Sequence, residues 1–203
     1  MWVLLLDTHT PYLPPKAYRK WCKISDWRLI YLFWKLQRRN WRSNNSQEIE
    51  KIKDAYNDAI RYVDIFVKKL WQDLKDDDPI FIIHADHGDG FGEHGFLQHP
   101  PLLYEELIHV PLVIYNADIR GKISEPVSLR SIPSTIELIG IKQNLFPSKS
   151  VLSSEKDTYV ISKVFDGNKW KIAVRSKDWK FIMGQKMKMS FTILKKTHMN
   201  KKM

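Results

Sequence analysis

Hydrophobic and polar positions along the chain divide it into an alternating set of elements. Trp2 to Leu6 is a short apolar run and predicts a buried strand. It runs into Asp7-Thr-His9-Thr-Pro-Tyr-Leu-Pro-Pro15, where three prolines remove donors and fix φ, so an ordered loop follows. Residues 16–45 are rich in Trp, Arg and Lys and read as irregular helix, with a polar break at Asn44-Asn45-Ser46. The spacing of Ile49, Ile52, Tyr56, Ile60, Val63, Phe66, Val67, Leu70 and Leu74 predicts a helix over 47–75. Ser46 is placed to cap it, and Asp76-Asp-Asp-Pro79 stops it.

Ile80-Phe-Ile-Ile83 is continuous and apolar, the pattern of a central parallel strand. Val110 to Ile114 predicts a further strand, and Ser131 to Ile139 a short helix with proline at its start and Gly140 at its end. This alternation predicts an α/β fold with a sheet covered on both faces. Residues 145–156 look like a polar linker. Beyond them Tyr159-Val-Ile161, Trp170 to Val174 and Trp179 to Ile182 alternate like antiparallel strands, with a turn at Asp166-Gly167. The expected division is 1–144 for a partial α/β domain and 145–203 for a small β subdomain with a basic tail.

Net charge is +10, which raises the question of nucleic acid. The surplus lies wholly from Lys163 onward, with 12 Lys/Arg against 2 Asp/Glu; before that point there are 21 of each. A neutral body argues against a basic groove, so no nucleic-acid partner is expected. No apolar run approaches the roughly 18 residues of a membrane span. No signal peptide is visible at Met1 to Leu6. Cys22 is the only cysteine, which suits a reducing compartment, so a cytoplasmic location without membrane contact is expected.

Chemistry concentrates after residue 83. The stretch 84–95 holds four of the chain's eight glycines, and five of its seven histidines fall between 84 and 109. Asp86 and His87 follow a strand end, where ligands gather in open α/β sheets. A carboxylate oxygen and an imidazole nitrogen can both bind a divalent cation. The glycines let the backbone turn tightly there.

The segment Ala85-Asp-His-Gly-Asp-Gly-Phe-Gly-Glu-His-Gly95, then His99, then Leu103-Tyr-Glu-Glu-Leu-Ile-His-Val-Pro-Leu-Val-Ile114 resembles the signature of the sulfatases in the alkaline phosphatase superfamily. The loop Asp7 to Pro15 resembles that family's Asp-x-His-x-Pro-Tyr-x-Pro, Tyr56 to Asp64 its Tyr-x-x-x-x-x-Tyr-x-Asp helix, and Val127 to Ile136 its Val-Ser-x-x-Asp-x-x-Pro-Thr helix. In the last of these, Arg130 or Ser131 stands where an acid is usual. The resemblance covers roughly residues 3–182. It implies a three-layer α/β/α alkaline phosphatase-like sandwich, present in part, with a C-terminal antiparallel subdomain. It also implies roles for residues. Asp86 and His87 would hold a divalent metal, Ca²⁺ or else Mg²⁺, Mn²⁺ or Zn²⁺. His9 would contact the sulfate oxygens or protonate the leaving alkoxide, and His99 would replace the lysine that often holds the sulfate.

The family's nucleophile is a formylglycine made within Cys/Ser-x-Pro/Ala-x-Arg, and it is not encoded in these residues; Cys22 stands in Trp-Cys-Lys-Ile-Ser-Asp. The tail after residue 184 also departs from the family, as a shifted reading frame would make it. The expectation is a truncated sulfatase-like protein, weak or inactive alone, acting on sulfate or phosphate esters. The alternatives are a phosphoryl or phosphonate ester hydrolase of the same superfamily, and a catalytically silent metal- or anion-binding module. Sequence leaves the oligomeric state open.

Overall fold

A computed structural model describes residues 1–38, 46–118, 120–140, 145–155, 157–185 and 189–194. They fall into two compact units, Met1–Ile80 with Gly88–Pro100, and Phe81–His87 with Pro101–Met203.

In the first unit, α1 (Asp26–Arg38) and α2 (Ser46–Leu74) carry the core. Leu29, Leu32 and Phe33 of α1 are buried, as are Ile49, Ile52, Ala55 and Ala59 of α2. Each large aliphatic side chain so buried stabilises the fold by about 1.5–3 kcal/mol. The buried stripe of α2 is not the expected one throughout, since Ile60 and Phe66 are exposed. Ala55 and Ala59 take core positions beside Ile49 and Ile52 instead. The side chain of Ser46, the expected cap, lies outside the described residues, as does the polar break before it. Asp78, at φ 50°, and Pro79 end the helical stretch as expected.

Asp58 lies on the same face of α2 and is fully buried. Its carboxylate accepts the backbone N–H groups of Lys20, Trp21 and Cys22 at 2.7, 3.1 and 2.8 Å. A buried charge survives because these donors replace its water. They also tie the segment before α1 to the middle of α2.

Residues 2–6 are not the expected buried strand. They join no ladder among the described residues, and Trp2, Leu4 and Leu6 are 73%, 69% and 64% exposed. An apolar run becomes a strand only where a neighbour satisfies its backbone groups. The loop beyond is ordered by burial of Tyr12 and Pro14 and by the Arg19 guanidinium, whose Nε donates to the Pro14 carbonyl at 2.9 Å. The Thr10–Pro11 peptide bond is cis. A short hairpin, β2 (Gly90–Phe91) with β3 (Leu97–Gln98), completes this unit.

In the second unit, β1 (Phe81–His84) pairs with β4 (Leu112–Tyr115). The pairing is antiparallel, not parallel, and Ile83, Val113 and Tyr115 remain exposed. A two-stranded ribbon covers too little surface to bury both faces. The helix α3 (Glu105–Ile108) lies between them in sequence, and α4 (Ile132–Gly140) follows a 3₁₀ turn at Leu129–Ser131.

The stretch 145–155 is more than a linker. Thr135 is buried; its hydroxyl donates to the Ser131 carbonyl at 2.6 Å and accepts the Val151 N–H at 2.9 Å. Buried Glu137 accepts the N–H groups of Leu145 and Phe146. In the C-terminal part the expected antiparallel strands form as β5 (Tyr159–Asp166), β6 (Lys169–Ser176) and β7 (Trp179–Gly184), and a fourth that the sequence pattern did not predict, β8 (Ser190–Ile193), joins them in sequential order. Gly167, at φ 57°, opens the two-residue turn between β5 and β6, a conformation that costs glycine little. No helix among the described residues is long and apolar enough to cross a membrane.

Candidate functional site

The hairpin register assembles the first cluster. Gly90 pairs with Gln98, so the residues just outside that pair, Asp89 and His99, stand opposite each other. Their side chains meet, with His99 Nδ1 2.7 Å from Asp89 Oδ1. A carboxylate only accepts, so the bond assigns a proton to Nδ1 and turns Nε2 to the outer side of the ring. The hairpin is narrow because of Gly90, where a Cβ would lie 2.2 Å from the Phe96 ring. Gly92 N–H donates to the Phe96 carbonyl at 2.9 Å and closes the loop.

The other carboxylate oxygen of Asp89 accepts the Tyr12 hydroxyl at 2.5 Å. Tyr12 is 1% exposed and packs edge-on against Phe33 and Tyr56, with ring centroids 5.4 and 5.0 Å apart. Burial, and then the bond to Asp89, hold its hydroxyl far above the ordinary tyrosine range, so it stays a donor. Burial and the Asp89 charge raise Tyr56 as well. The Asp89 side chain is itself 5% exposed. It is a buried carboxylate with both oxygens engaged, joining the loop at 7–15 to His99.

His9 stands on that loop, exposed, with its ring centroid 5.2 Å from that of His99. Its Nδ1 lies 2.9 Å from the Thr10 carbonyl, which again assigns a proton to Nδ1. The two imidazoles are therefore neighbours, each oriented through Nδ1. When Nε2 carries a proton as well, that arrangement can present hydrogen-bond donors to an anion, or a proton to an oxygen that gains negative charge.

Asp86 and His87 belong to the second unit, two and three residues beyond the end of β1. Asp86 Oδ1 accepts the His87 N–H at 3.0 Å, and its side chain is 84% exposed. Asp86 Oδ2 and His87 Nε2 lie 3.9 Å apart. That separation fits two bonds of about 2.0–2.6 Å to one cation. The donor pair suits a divalent metal and supplies only part of its coordination shell.

Sequence reasoning assigned no site role to three groups. Asp89 could have been found as the carboxylate flanking the hairpin glycine, and Asp58 as an acid in phase with Ile52, Ala55 and Ala59. The third is the Glu105–Lys180–Arg175 cluster of the second unit. Lys180 Nζ lies 2.8 Å from Glu105 Oε1, and Arg175 Nε lies 3.2 Å from Oε2. Burial opposes ionisation of Glu105, but the two cations outweigh it and hold the carboxyl below its ordinary range. Lys180, 2% exposed, is depressed by burial and by Arg175, against the pull of Glu105. Glu105 stands in the Tyr-Glu-Glu stretch of the resembled signature, but nothing in the sequence pairs it with Lys180 and Arg175.

The family model for sulfatases matches residues 1–141. The chain belongs to the sulfatase family. Its fold is that of solved sulfatase-like proteins. BT1596, a 2-O GAG sulfatase, is 19% identical with a TM-score of 0.61, the match covering 75% of this chain and 37% of that one. The phosphonate monoester hydrolase of Agrobacterium radiobacter is 19% identical with a TM-score of 0.64, covering 76% and 37%. BT4656, solved with its substrate D-glucosamine-2-N,6-O-disulfate, is 17% identical with a TM-score of 0.60, covering 85% and 40%. This sulfatase-family chain thus spans well under half the length of those proteins. Comparison with curated proteins found no match. The sulfatases use a divalent metal, and the Asp86–His87 donor pair has the chemistry for one.

Proposed function

We propose that the chain binds the anionic group of a sulfuric ester through His9 and His99, and a divalent cation through Asp86 and His87. The observation that carries this reading is the pair of neighbouring imidazoles, one of them oriented by a buried carboxylate. A sulfate monoester is negatively charged, and its cleavage moves more charge onto the leaving oxygen. N–H donors and a transferable proton aimed there stabilise that change. When bound, a divalent cation polarises an ester oxygen. Ca²⁺ heads the candidates for an oxygen-rich shell, with Mg²⁺, Mn²⁺ and Zn²⁺ behind it. Likeness to a 2-O GAG sulfatase and to a protein solved with a disulfated glucosamine supports a sulfated sugar as the substrate class. The buried free thiol of Cys22 supports a cytoplasmic setting.

These 203 residues contain no Cys/Ser-x-Pro/Ala-x-Arg, so the reading is binding without robust turnover by the chain alone. Calorimetric titration with an aryl sulfate tests the anion site. Wild type should bind, and His9→Ala and His99→Ala should each weaken binding about tenfold. Equal affinity in all three proteins would remove the assignment. Calcium titration of wild type and Asp86→Ala tests the metal pair, and identical isotherms would count against it. Rapid hydrolysis of the aryl sulfate by the chain would contradict the reading of low turnover.

A second reading is favoured by the likeness to the phosphonate monoester hydrolase. It predicts that a phenyl phosphonate competes with the aryl sulfate at comparable concentration. Failure to compete leaves the sulfuric ester.

A further inference from the structure

The four-stranded sheet wears its polarity in reverse. An antiparallel sheet with one solvated face turns apolar residues inward and charged ones out. Here the face toward α3 carries Lys171, Arg175 and Lys180. Lys171 Nζ donates to the Pro101 carbonyl at 2.6 Å, while Arg175 and Lys180 bond to Glu105. Ala173 and Ile182, on the same face, fill the small core with Leu103. The opposite face receives the apolar residues. The register sets Ile172 beside Met183 and Val174 beside Phe181 on the two central strands. Trp170 and Trp179 extend that surface along β6 and β7.

The edge strands continue it. Ile161 and Phe165 of β5 are 51% and 72% exposed, and Phe191 and Ile193 of β8 are 63% and 49% exposed. Trp179 and Phe191 stack with centroids 6.2 Å apart and 21° between planes, so part of the surface is already ordered. Among the described strand positions of this face, Lys163 carries the only charge. It lies on edge strand β5, where a flexible stem can take its ammonium to the rim.

We propose that this face is a self-association surface, on which two copies of the chain pack sheet against sheet. With about 150–250 Å² available per aromatic side chain, the exposed apolar groups offer on the order of 700 Å². Stable interfaces take roughly 600–1,000 Å² from each partner, so the patch falls within the size range of a dimer contact. It is charge-free at its centre with its charge at the edge, which is the anatomy of a protein interface. A single patch meeting itself gives a closed two-fold pair. Two twisted sheets stack about 10 Å apart with strands nearly aligned, and their apolar faces interdigitate. The surface is independent of the ester-binding reading and survives its failure.

Sedimentation velocity of the full chain over roughly a hundredfold concentration range tests this. Wild type should reach twice the 24.1 kDa chain mass. Phe165→Lys and Phe191→Lys, on opposite edges, should each weaken association by about tenfold or more with unchanged far-ultraviolet circular dichroism. If either variant loses its fold, Ile161→Thr supplies the same comparison with a smaller change. A monomer at every concentration overturns the proposal. So does a dimer indifferent to the substitutions, or a polydisperse aggregate without a defined dimer. Co-flotation of monomer with phosphatidylserine vesicles would assign the face to a membrane and overturn it equally.

Discussion

His99 meets Asp89 at 2.7 Å because a glycine, Gly90, lets a hairpin of two-residue strands close beside them. Asp89 also accepts the Tyr12 hydroxyl, so one carboxylate serves both a buried aromatic core and an outward imidazole. Removing that carboxylate should be felt twice. Asp89→Ala leaves the buried Tyr12 hydroxyl without its acceptor, and urea denaturation should show a loss of about 1–3 kcal/mol. The same substitution should weaken aryl sulfate binding, since His99 loses its orientation. Tyr12→Phe separates the two effects: a loss of stability with binding largely retained.

Gly90→Ala places a methyl group on the Phe96 ring. The ring has to move, at a cost of about 1–3 kcal/mol for an overpacked site. Thermal melting should show the loss, and aryl sulfate affinity should fall although no ligand-contacting side chain changes. Unchanged affinity would mean that the hairpin does not set the His99 position.

Asp58→Ala should be among the most damaging single changes, at about 3–5 kcal/mol, because three backbone donors lose a charged acceptor and a cavity forms. Asp58→Asn keeps one carbonyl oxygen and should recover part of the loss. Chemical denaturation of the two variants side by side gives the comparison.

Glu105 makes the stability of the second unit depend on pH. Its carboxyl titrates below the ordinary 4.5 in the folded state. The unfolded chain therefore takes up the proton first as pH falls. The stabilisation is complete above about 4.5 and is lost as pH drops through the folded value. Lys180, depressed when folded, adds the complementary trend at high pH, where stability rises toward its unfolded value near 10.5. Melting temperatures between pH 3 and 6 should fall steeply in wild type and less steeply in Glu105→Gln.

Local pattern made much of this legible. Helical spacing placed α2, alternation placed β5 to β7, and glycine with histidine marked 84–99. Partnership was not legible. Residues 2–6 have the composition of a strand and no ladder among the described residues. Phe81–His84 has the apolar run of a parallel strand and pairs antiparallel with Leu112–Tyr115. A run of apolar residues states what must be buried and says nothing of which segment covers it. Asp86 and His87 stand beyond β1 as expected, and His9 comes beside His99. Asp89 and Asp58 escaped because a buried acid reads as a surface acid until its donors are known, and those donors lie 77 and 36–38 residues away in the chain.

The segment between α4 and β5 has the look of a place to cut. Thr135 and Glu137 hold it by backbone donors from Val151, Leu145 and Phe146, and Ser134 and Ser148 share a bond of 2.6 Å. Severing the chain near residue 145 to obtain two smaller proteins would strand a buried hydroxyl and a buried carboxylate in the first piece. Limited proteolysis should accordingly spare residues 145–151 while cleaving elsewhere. Anyone dividing the protein for separate expression does better to keep Ile132 through Val151 on one polypeptide.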